Sequence, residues 1–312
     1  DLLSTMLLTT QCPVIFAPAM DGDRWQHPTV VEHVATLRTR GAVIVEPEEG
    51  PLASGRSGQG RLADEARILS ALQATLHPRR DWSGRRLLIS AGPTQEAIDP
   101  VRFISNRSSG KMGYALAEAA QARGAEVLLV SGPTALTPPA GVELCPVTTA
   151  EEMRKAVISR FSWSDTVIMA AAVADFRPTQ PAAQKLKKRR SPVTSLELSP
   201  TDDILRELGE RRTTQVLVGF AAETEDLLAH AREKLQAKGV DLLVANDVTA
   251  AGSGFGSDTN RVFILDRDGR AEELPLLPKR EVADRILDRV LTLPTGRRST
   301  KPAAGTGTHR KE

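Results

Sequence analysis

The sequence is poor in cysteine, in aromatics and in net charge, and it has no long apolar run. Cys12 and Cys145 are the two cysteines of 312 residues and form no CxxC pair, so neither a disulfide framework nor a zinc site is indicated and a reducing cytoplasm is expected. The 41 basic and 39 acidic residues leave a formal charge of +2, which provides no general field for nucleic acid. With 7 Phe, 3 Trp and 1 Tyr there is no base-stacking platform either. No apolar stretch approaches the roughly 20 residues that cross a bilayer, and no signal peptide opens the chain. No repeat with a period of about 20 to 50 residues is visible. The chain does not begin with Met, and its opening at Asp1, running straight into DLLSTMLLTT, is read as a missing N-terminal portion.

What is present is an ordinary globular composition, 40% hydrophobic and 26% charged, long enough for two cores. Apolar runs and helical spacing give a strand at 13–17, a helix from Val30 to Arg40, a strand at 42–45 and a helix from Asp64 to Leu76. Residues 50–62 carry four glycines without periodicity and are expected to be a mobile loop. The polar, proline-bearing stretch 77–84 (HPRRDWSG) marks a linker between a first domain, 1–76, and a second, 85–293. In the second domain strands at 87–90, 127–130, 166–173, 216–222, 241–247 and 262–266 alternate with helices at about 110–123, 150–161, 225–238 and 279–293. That alternation predicts a doubly wound, Rossmann-like α/β fold. Near-continuous Val, Ile and Leu in the strands implies a sheet covered by helices on both faces. Residues 294–312 carry Gly, Pro and charge without an apolar pattern and are expected to be a disordered tail.

Chemistry concentrates between Leu87 and Gly113, LLISAGPTQEAIDPVRFISNRSSGKMG, where a strand runs through a Gly-Pro turn and a polar loop into a glycine-bearing helix entrance. Such an entrance holds phosphate, because its unpaired N–H groups and about half a positive charge from the helix dipole face an anion. Lys111 adds a full charge. Neither GxxxxGK[ST] nor GxGxxG is found after the strand, so the familiar phosphate loops do not account for it.

Several separated motifs, in order, carry a resemblance: GPTQEAIDPVRFISNRSSGKMG, AAAVADF followed by KLKK, GFAAET, and ANDV with GFGSDTNRV. They resemble the ligase part of bacterial phosphopantothenoylcysteine decarboxylase/phosphopantothenate–cysteine ligase, the bifunctional enzyme of coenzyme A synthesis. The resemblance implies that 4′-phosphopantothenate attacks CTP to give an acyl-cytidylate, with Mg²⁺ assisting, and that cysteine then displaces CMP. It implies catalytic roles for Asn106, which contacts the acyl intermediate, and Lys185, which reaches across the triphosphate. Gly92, Ser108, Ser109, Gly110 and Lys111 are the implied substrate-binding residues. For CTP it implies Ala171, Asp175, Lys185, Asp203, Ile204, Phe220, Lys234 and Lys238, with Asp203 and Ile204 on a nucleotide-contacting loop. Read without the resemblance, Asn106 is a turn-capping residue, Asp175 a helix N-cap, and Lys234 and Lys238 surface lysines on one helix face. Lys187 to Arg190 reads as a solvated basic run.

Residues 1–76 resemble the end of the flavodoxin-like, FMN-dependent decarboxylase domain, with APAMDGDRWQHP at the substrate motif and GPLASGRSGQGRL at the flexible clamp. Met20 and Ser4 are candidates to line a flavin site, although Met20 also suits core packing. Asp21 stands where the family has Asn, and Ser54 where it has a proton-donating Cys. A hydroxyl is a far weaker acid than a thiol of pKa about 8.5. The family's catalytic His would lie before Asp1, so decarboxylation by this chain as given is expected to be absent, while the resemblance leaves FMN-dependent decarboxylation open for the complete protein. The resemblance further implies a homodimer through the ligase domain, a higher homo-oligomer with a complete flavin domain, small-molecule substrates, and neither nucleic acid nor membrane as partner. Two other classes remain open on the residues alone. An NAD(P)-dependent oxidoreductase shares the fold, but VLLVSGP has no acidic residue at the end of the second strand. The other class is a non-catalytic flavoprotein subunit.

Overall fold

The computed structural model describes residues 1–76, 79–187, 195–223, 227–247, 252, 254 and 256–293. The expected tail, the basic run at 188–190 and the start of the helix expected from 225 lie outside the described residues. The chain divides into two compact units, Asp1–Arg79 and Arg80–Glu312.

The first unit contains helices Leu2–Thr9, Gly22–Trp25, Pro28–Thr39 and Glu65–Leu76. Ile15–Phe16 pairs in parallel with Val43–Ile44, so the two expected strands are present but short and only half-buried. Pro28 opens its helix at a position where a missing N–H costs nothing, and the His27 ring caps it by accepting from the Thr29 N–H at 3.3 Å. Glycine-rich 50–62, expected to be a mobile loop, is instead largely an antiparallel hairpin, Glu48–Pro51 with Ser57–Arg61. Its glycines serve contact: Gly60 has φ 144°, and a Cβ there would collide with the Met20 carbonyl, while the Met20 N–H donates to the Gly60 carbonyl at 2.8 Å. Trp25, Val45 and Ala63 are the buried apolar residues described in this unit, whereas Leu2, Leu3, Met6 and Leu8 are exposed.

In the second unit eight strands form one sheet: β1 Arg86–Ala91, β2 Glu126–Ser131, β3 Glu143–Pro146, β4 Thr166–Met169, β5 Val216–Glu223, β6 Leu242–Asp247, β7 Thr259–Asp266 and β8 Ala271–Pro278. Their spatial order is β3-β2-β1-β4-β5-β6-β7-β8, parallel from β3 to β6 and antiparallel at β6-β7 and β7-β8. Among the described residues five α-helices cover it: α1 Lys111–Ala122, α2 Ala150–Arg160, α3 Ile204–Arg211, α4 Leu227–Ala237 and α5 Lys279–Leu291. Alternate residues of β1 serve opposite layers. Leu87 and Ile89 pack with Leu116 of α1 and Ile286 of α5, while Leu88 packs with Met153 of α2 and Leu208 of α3. The unbroken apolar runs therefore do signal a doubly covered sheet.

The expected strand 166–173 stops at Met169. Beyond it the chain leaves the ladder because side chains take over: the Ala171 N–H donates to Ser90 Oγ at 3.1 Å and the Ala174 N–H to Thr94 Oγ1 at 2.9 Å. Two three-residue hairpins, Gln95–Ala97 with Phe103–Ser105 and Phe176–Pro178 with Leu198–Pro200, escape the sequence reading, as do α3 and β8. The polar stretch 77–84 is not all linker. Trp82 is fully buried in the core, and its backbone N–H donates to the Arg123 carbonyl at 3.1 Å. Among the described residues no helix is long and apolar enough to cross a membrane.

Candidate functional site

The order of the strands reverses between β1 and β4, and open α/β sheets bind ligands outside the carboxyl ends of the strands at such a point. A cavity of about 610 Å³ lies there. Its walls are the entrance of α1 (108–113), the segment 169–175 after β4, the entrance of α3 (201–205), Phe220 of β5, and Lys234 with Lys238 from α4 and its end. Of the ligase residues singled out from sequence, Asn106, Ser108, Ser109, Gly110, Lys111, Ala171, Asp175, Asp203, Ile204, Phe220, Lys234 and Lys238 line this one space. Gly92 and Lys185 are not among its lining residues.

Glycine shapes the floor. Gly92 has φ 74° and Gly110 φ 79°, and a Cβ on Gly110 would lie 3.4 Å from the Gly92 Cα and 2.7 Å from Thr134 Cγ2. Gly113 lets α1 lie against β1, since a Cβ there would meet the Ala91 Cβ at 2.5 Å. A tight turn, a close approach and helix–strand packing are the three tasks of the dinucleotide fingerprint. Here they are shared among Gly92, Gly110 and Gly113, separated by the inserted segment 93–109, so no contiguous GxGxxG could be found. The first-turn N–H groups of α1 open on the cavity from a helix of 12 residues.

Asn106 joins two walls: its Nδ2 donates to the Ala172 carbonyl at 3.1 Å and to the Val173 carbonyl at 3.0 Å. Both amide hydrogens are thus committed to the segment that carries Asp175. Asp175 caps no helix. It is exposed, precedes the strand Phe176–Pro178, and its carbonyl accepts from the Thr201 N–H at 2.9 Å. Asp203 and Ile204 are corrected from a loop to the start of α3. The Asp203 carboxylate caps that helix through the Arg206 N–H at 3.1 Å and lies 3.5 Å from Lys238 Nζ, and Ile204 is buried in the core. The apolar spacing of Ile204, Leu205 and Leu208 is the signal that would have revealed it.

Lys185 is exposed, and its neighbour Leu186 is held at both ends of its peptide. The Leu186 N–H donates to Asp99 Oδ2 at 3.1 Å and Arg102 Nη2 donates to its carbonyl at 3.1 Å. The Arg102 guanidinium beside Asp99 holds that carboxyl well below the usual carboxylate range, against the effect of burial.

Sequence reasoning missed Asn246, Asn260 and Lys279, which also line the cavity. The two Asn fall within quoted motifs and could have been chosen. Lys279, the first residue of α5, looks like any surface lysine in sequence, yet it is 6% exposed. Burial, and next the charge of Lys111, push its ammonium down to about 8, partly offset by Asp258. Among the described residues no group of three or more His, Cys, Asp or Glu could hold a metal ion.

In the first unit, Asp21 and Ser54, the two departures from the flavin-domain pattern, face each other. The Ser54 hydrogen bond, then the Asp23 N–H, keep the Asp21 carboxyl below its ordinary value. Asp21 also caps the helix Gly22–Trp25. Met20 is half-buried, and Ser4 donates to Asp1 Oδ1 from both its N–H and its hydroxyl, at 2.8 and 3.0 Å.

Comparison with known proteins places both units. The family profile described as DNA/pantothenate metabolism flavoprotein C-terminal domain matches residues 82–293, and the flavoprotein profile matches residues 1–77. A coenzyme A biosynthesis bifunctional protein CoaBC from Bacillus subtilis is 49% identical over 306 residues, covering 96% of this chain and 75% of its own length. Its counterpart in Mycobacterium tuberculosis is 46% identical over 311 residues, covering 95% and 74%. Among solved structures, the C-terminal domain of a CoaBC protein is 47% identical with a TM-score of 0.59, covering 68% of this chain and 96% of its own. A DNA/pantothenate metabolism flavoprotein from Streptococcus pneumoniae, 23% identical with a TM-score of 0.58, covers 67% and 99% and shares the fold.

Proposed function

The chain belongs to the family of coenzyme A biosynthesis bifunctional proteins, and from that premise we propose that its second unit ligates 4′-phosphopantothenate to cysteine with CTP. The observation that carries this reading is the gathering of a helix entrance, Asn106, Asp175 and four lysines around one cavity at the point where strand order reverses. In the first step the acid's carboxylate oxygen attacks the α-phosphorus of CTP. A carboxyl–phosphorus bond forms, the bond to the β-phosphate breaks, and pyrophosphate leaves. In the second step the cysteine amine attacks the acyl carbon, CMP departs with the bridging oxygen, and the amine proton passes to solvent.

Two anions must meet in both steps, so the protein's work is alignment and charge neutralisation. Lys234 and Lys238 supply positive charge from α4, and the entrance of α1 with Lys111 supplies it from the other wall. Asp175 is suited to accept from the exocyclic amine of cytosine, a donor that uracil lacks. Mg²⁺, when bound, neutralises the triphosphate. The donor set fits its habit of using substrate phosphates and one or two carboxylates, since Asp175, Asp202 and Asp203 reach the cavity and no all-protein cage is found among the described residues. Lys185 adds charge if its segment approaches the bound nucleotide.

The first unit is the counterpart of a flavoprotein domain, but its residues do not fit the FMN-dependent decarboxylation. Ser54 is a hydroxyl already hydrogen-bonded to Asp21, so no proton donor of thiol acidity stands there. A homodimer through the second unit is part of the proposal. Incubation with 4′-phosphopantothenate, CTP, Mg²⁺ and cysteine should yield equal amounts of pyrophosphate and CMP. A folded preparation that releases neither refutes the reading, and activity with NADPH in place of CTP would favour the oxidoreductase class.

A further inference from the structure

The lysines of the cavity fall into two groups. Lys234 and Lys238 belong to α4 and its end, whereas Lys111 and Lys279 are the first residues of α1 and α5 and converge on one short stretch before β7. Lys111 Nζ donates to the Gly256 carbonyl at 2.9 Å and pairs with Asp258 at 2.6 Å. Lys279 Nζ donates to the Gly254 carbonyl at 3.0 Å and to the Ser257 carbonyl. Among the described residues the two ammoniums therefore share neutral carbonyls and a single carboxylate, and that carboxylate is 89% exposed. Removing an ammonium from water costs several kcal/mol unless an anion compensates. Lys279 is buried beside a second cation, and its nearest counter-ion is solvated and bonded to the other lysine. The pair is under-neutralised, it opens on the cavity, and the orphan N–H groups of α1 lie beside it.

We infer that Lys279, acting with Lys111, binds the phosphate monoester of the acid substrate, and that Asp258 is the resident counter-ion which this phosphate displaces. The inference rests on the proposed ligase reading and assigns the two lysine groups different work. The α4 group faces the nucleotide's triphosphate, and the α1–α5 group faces the acid's phosphate. Binding the dianion requires Lys279 to be protonated. Among the described residues the charged groups that face it are Lys111 on α1 and Asp258 before β7, and its proton is lost as the pH of the free protein rises through about 8. Affinity for the phosphorylated acid should therefore fall above that pH.

The test is calorimetric titration of the full chain with 4′-phosphopantothenate, with unphosphorylated pantothenate and with CTP, from pH 6.5 to 9.5. Expected are a preference for the phosphorylated acid that declines above pH about 8, and a loss of about 10-fold to 100-fold in its affinity in Lys279→Gln, the worth of one charged hydrogen bond. Lys279→Gln should also lose the pH dependence and keep its CTP affinity, while Asp258→Asn should bind the phosphorylated acid more tightly. Loss of both ligands alike in Lys279→Gln, or loss of neither, overturns the inference. Wild-type binding of CTP without 4′-phosphopantothenate overturns it too, whereas binding of neither ligand sinks the ligase reading itself.

Discussion

Among single residues Asn106 carries the most weight, because its amide spends both hydrogens on the carbonyls of Ala172 and Val173. It can donate to a reacting acyl oxygen only by releasing one of them. Asn106→Ala is expected to lower turnover about 100-fold, the usual cost of one donor at a developing oxyanion, and also to weaken CTP binding, because the segment carrying Asp175 loses its tie. Steady-state rates together with nucleotide titration check both effects, and full activity would refute the assignment. Lys185→Gln should likewise lose product formation. Asp99 acts on that lysine at one remove, through the Leu186 N–H and Arg102. Its folded carboxyl titrates below the ordinary 3.8, so the stability it contributes is present above that pH and is lost as pH falls further. Acid-unfolding curves of wild type and Asp99→Asn should therefore separate at neutral pH and converge at low pH. Hydrogen exchange in Asp99→Asn should be faster at 182–186.

At the scale of elements, the packing of α1 on β1 depends on a glycine. Gly113→Ala puts a methyl at 2.5 Å from the Ala91 Cβ, where either strand or helix must move. The expected cost is about 1–3 kcal/mol, read as a lower denaturant midpoint together with weaker anion binding at the shifted helix entrance. The same scale shows what sequence could and could not convey. Strands β1, β2 and β5 stand out because each carries a run of consecutive Leu, Ile or Val, and the segments around Asn106 and Asp175, which meet at one cavity, stand out because several motifs occur in order. The hairpin Phe176–Pro178 with Leu198–Pro200 does not, since each strand has three residues and the pairing spans an intervening segment. Lys279 is hidden for a different reason: carbonyls at Gly254 and Ser257 make its environment, and nothing within its own helix announces them. Residues 50–62 misled because glycine that permits close contact looks, in sequence, like glycine that permits motion.

For the molecule as a whole, the apolar core and the candidate site both lie within the second unit. A chain comprising residues 80–293 should therefore fold alone and keep CTP-dependent activity, whereas residues 1–79 with three buried apolar side chains should not hold a stable structure. Circular dichroism and thermal melts of the two fragments decide this. Within the second unit, buried Arg123 draws Asp81 at 2.6 Å and Asp288 at 2.7 Å to one point, tying the start of the unit to α1 and α5. Arg123→Leu should cost about 1–3 kcal/mol, because the buried guanidinium's bonds to two partly exposed carboxylates are lost.

The most direct test of the central claim follows the acid's own oxygen. If the carboxylate of 4′-phosphopantothenate attacks the α-phosphorus of CTP, then starting from acid labelled with ¹⁸O in both carboxyl oxygens, each turnover should deliver one ¹⁸O atom into CMP and leave the pyrophosphate unlabelled. Unlabelled CMP, or label recovered in inorganic phosphate with CDP as the other product, would contradict an acyl-cytidylate.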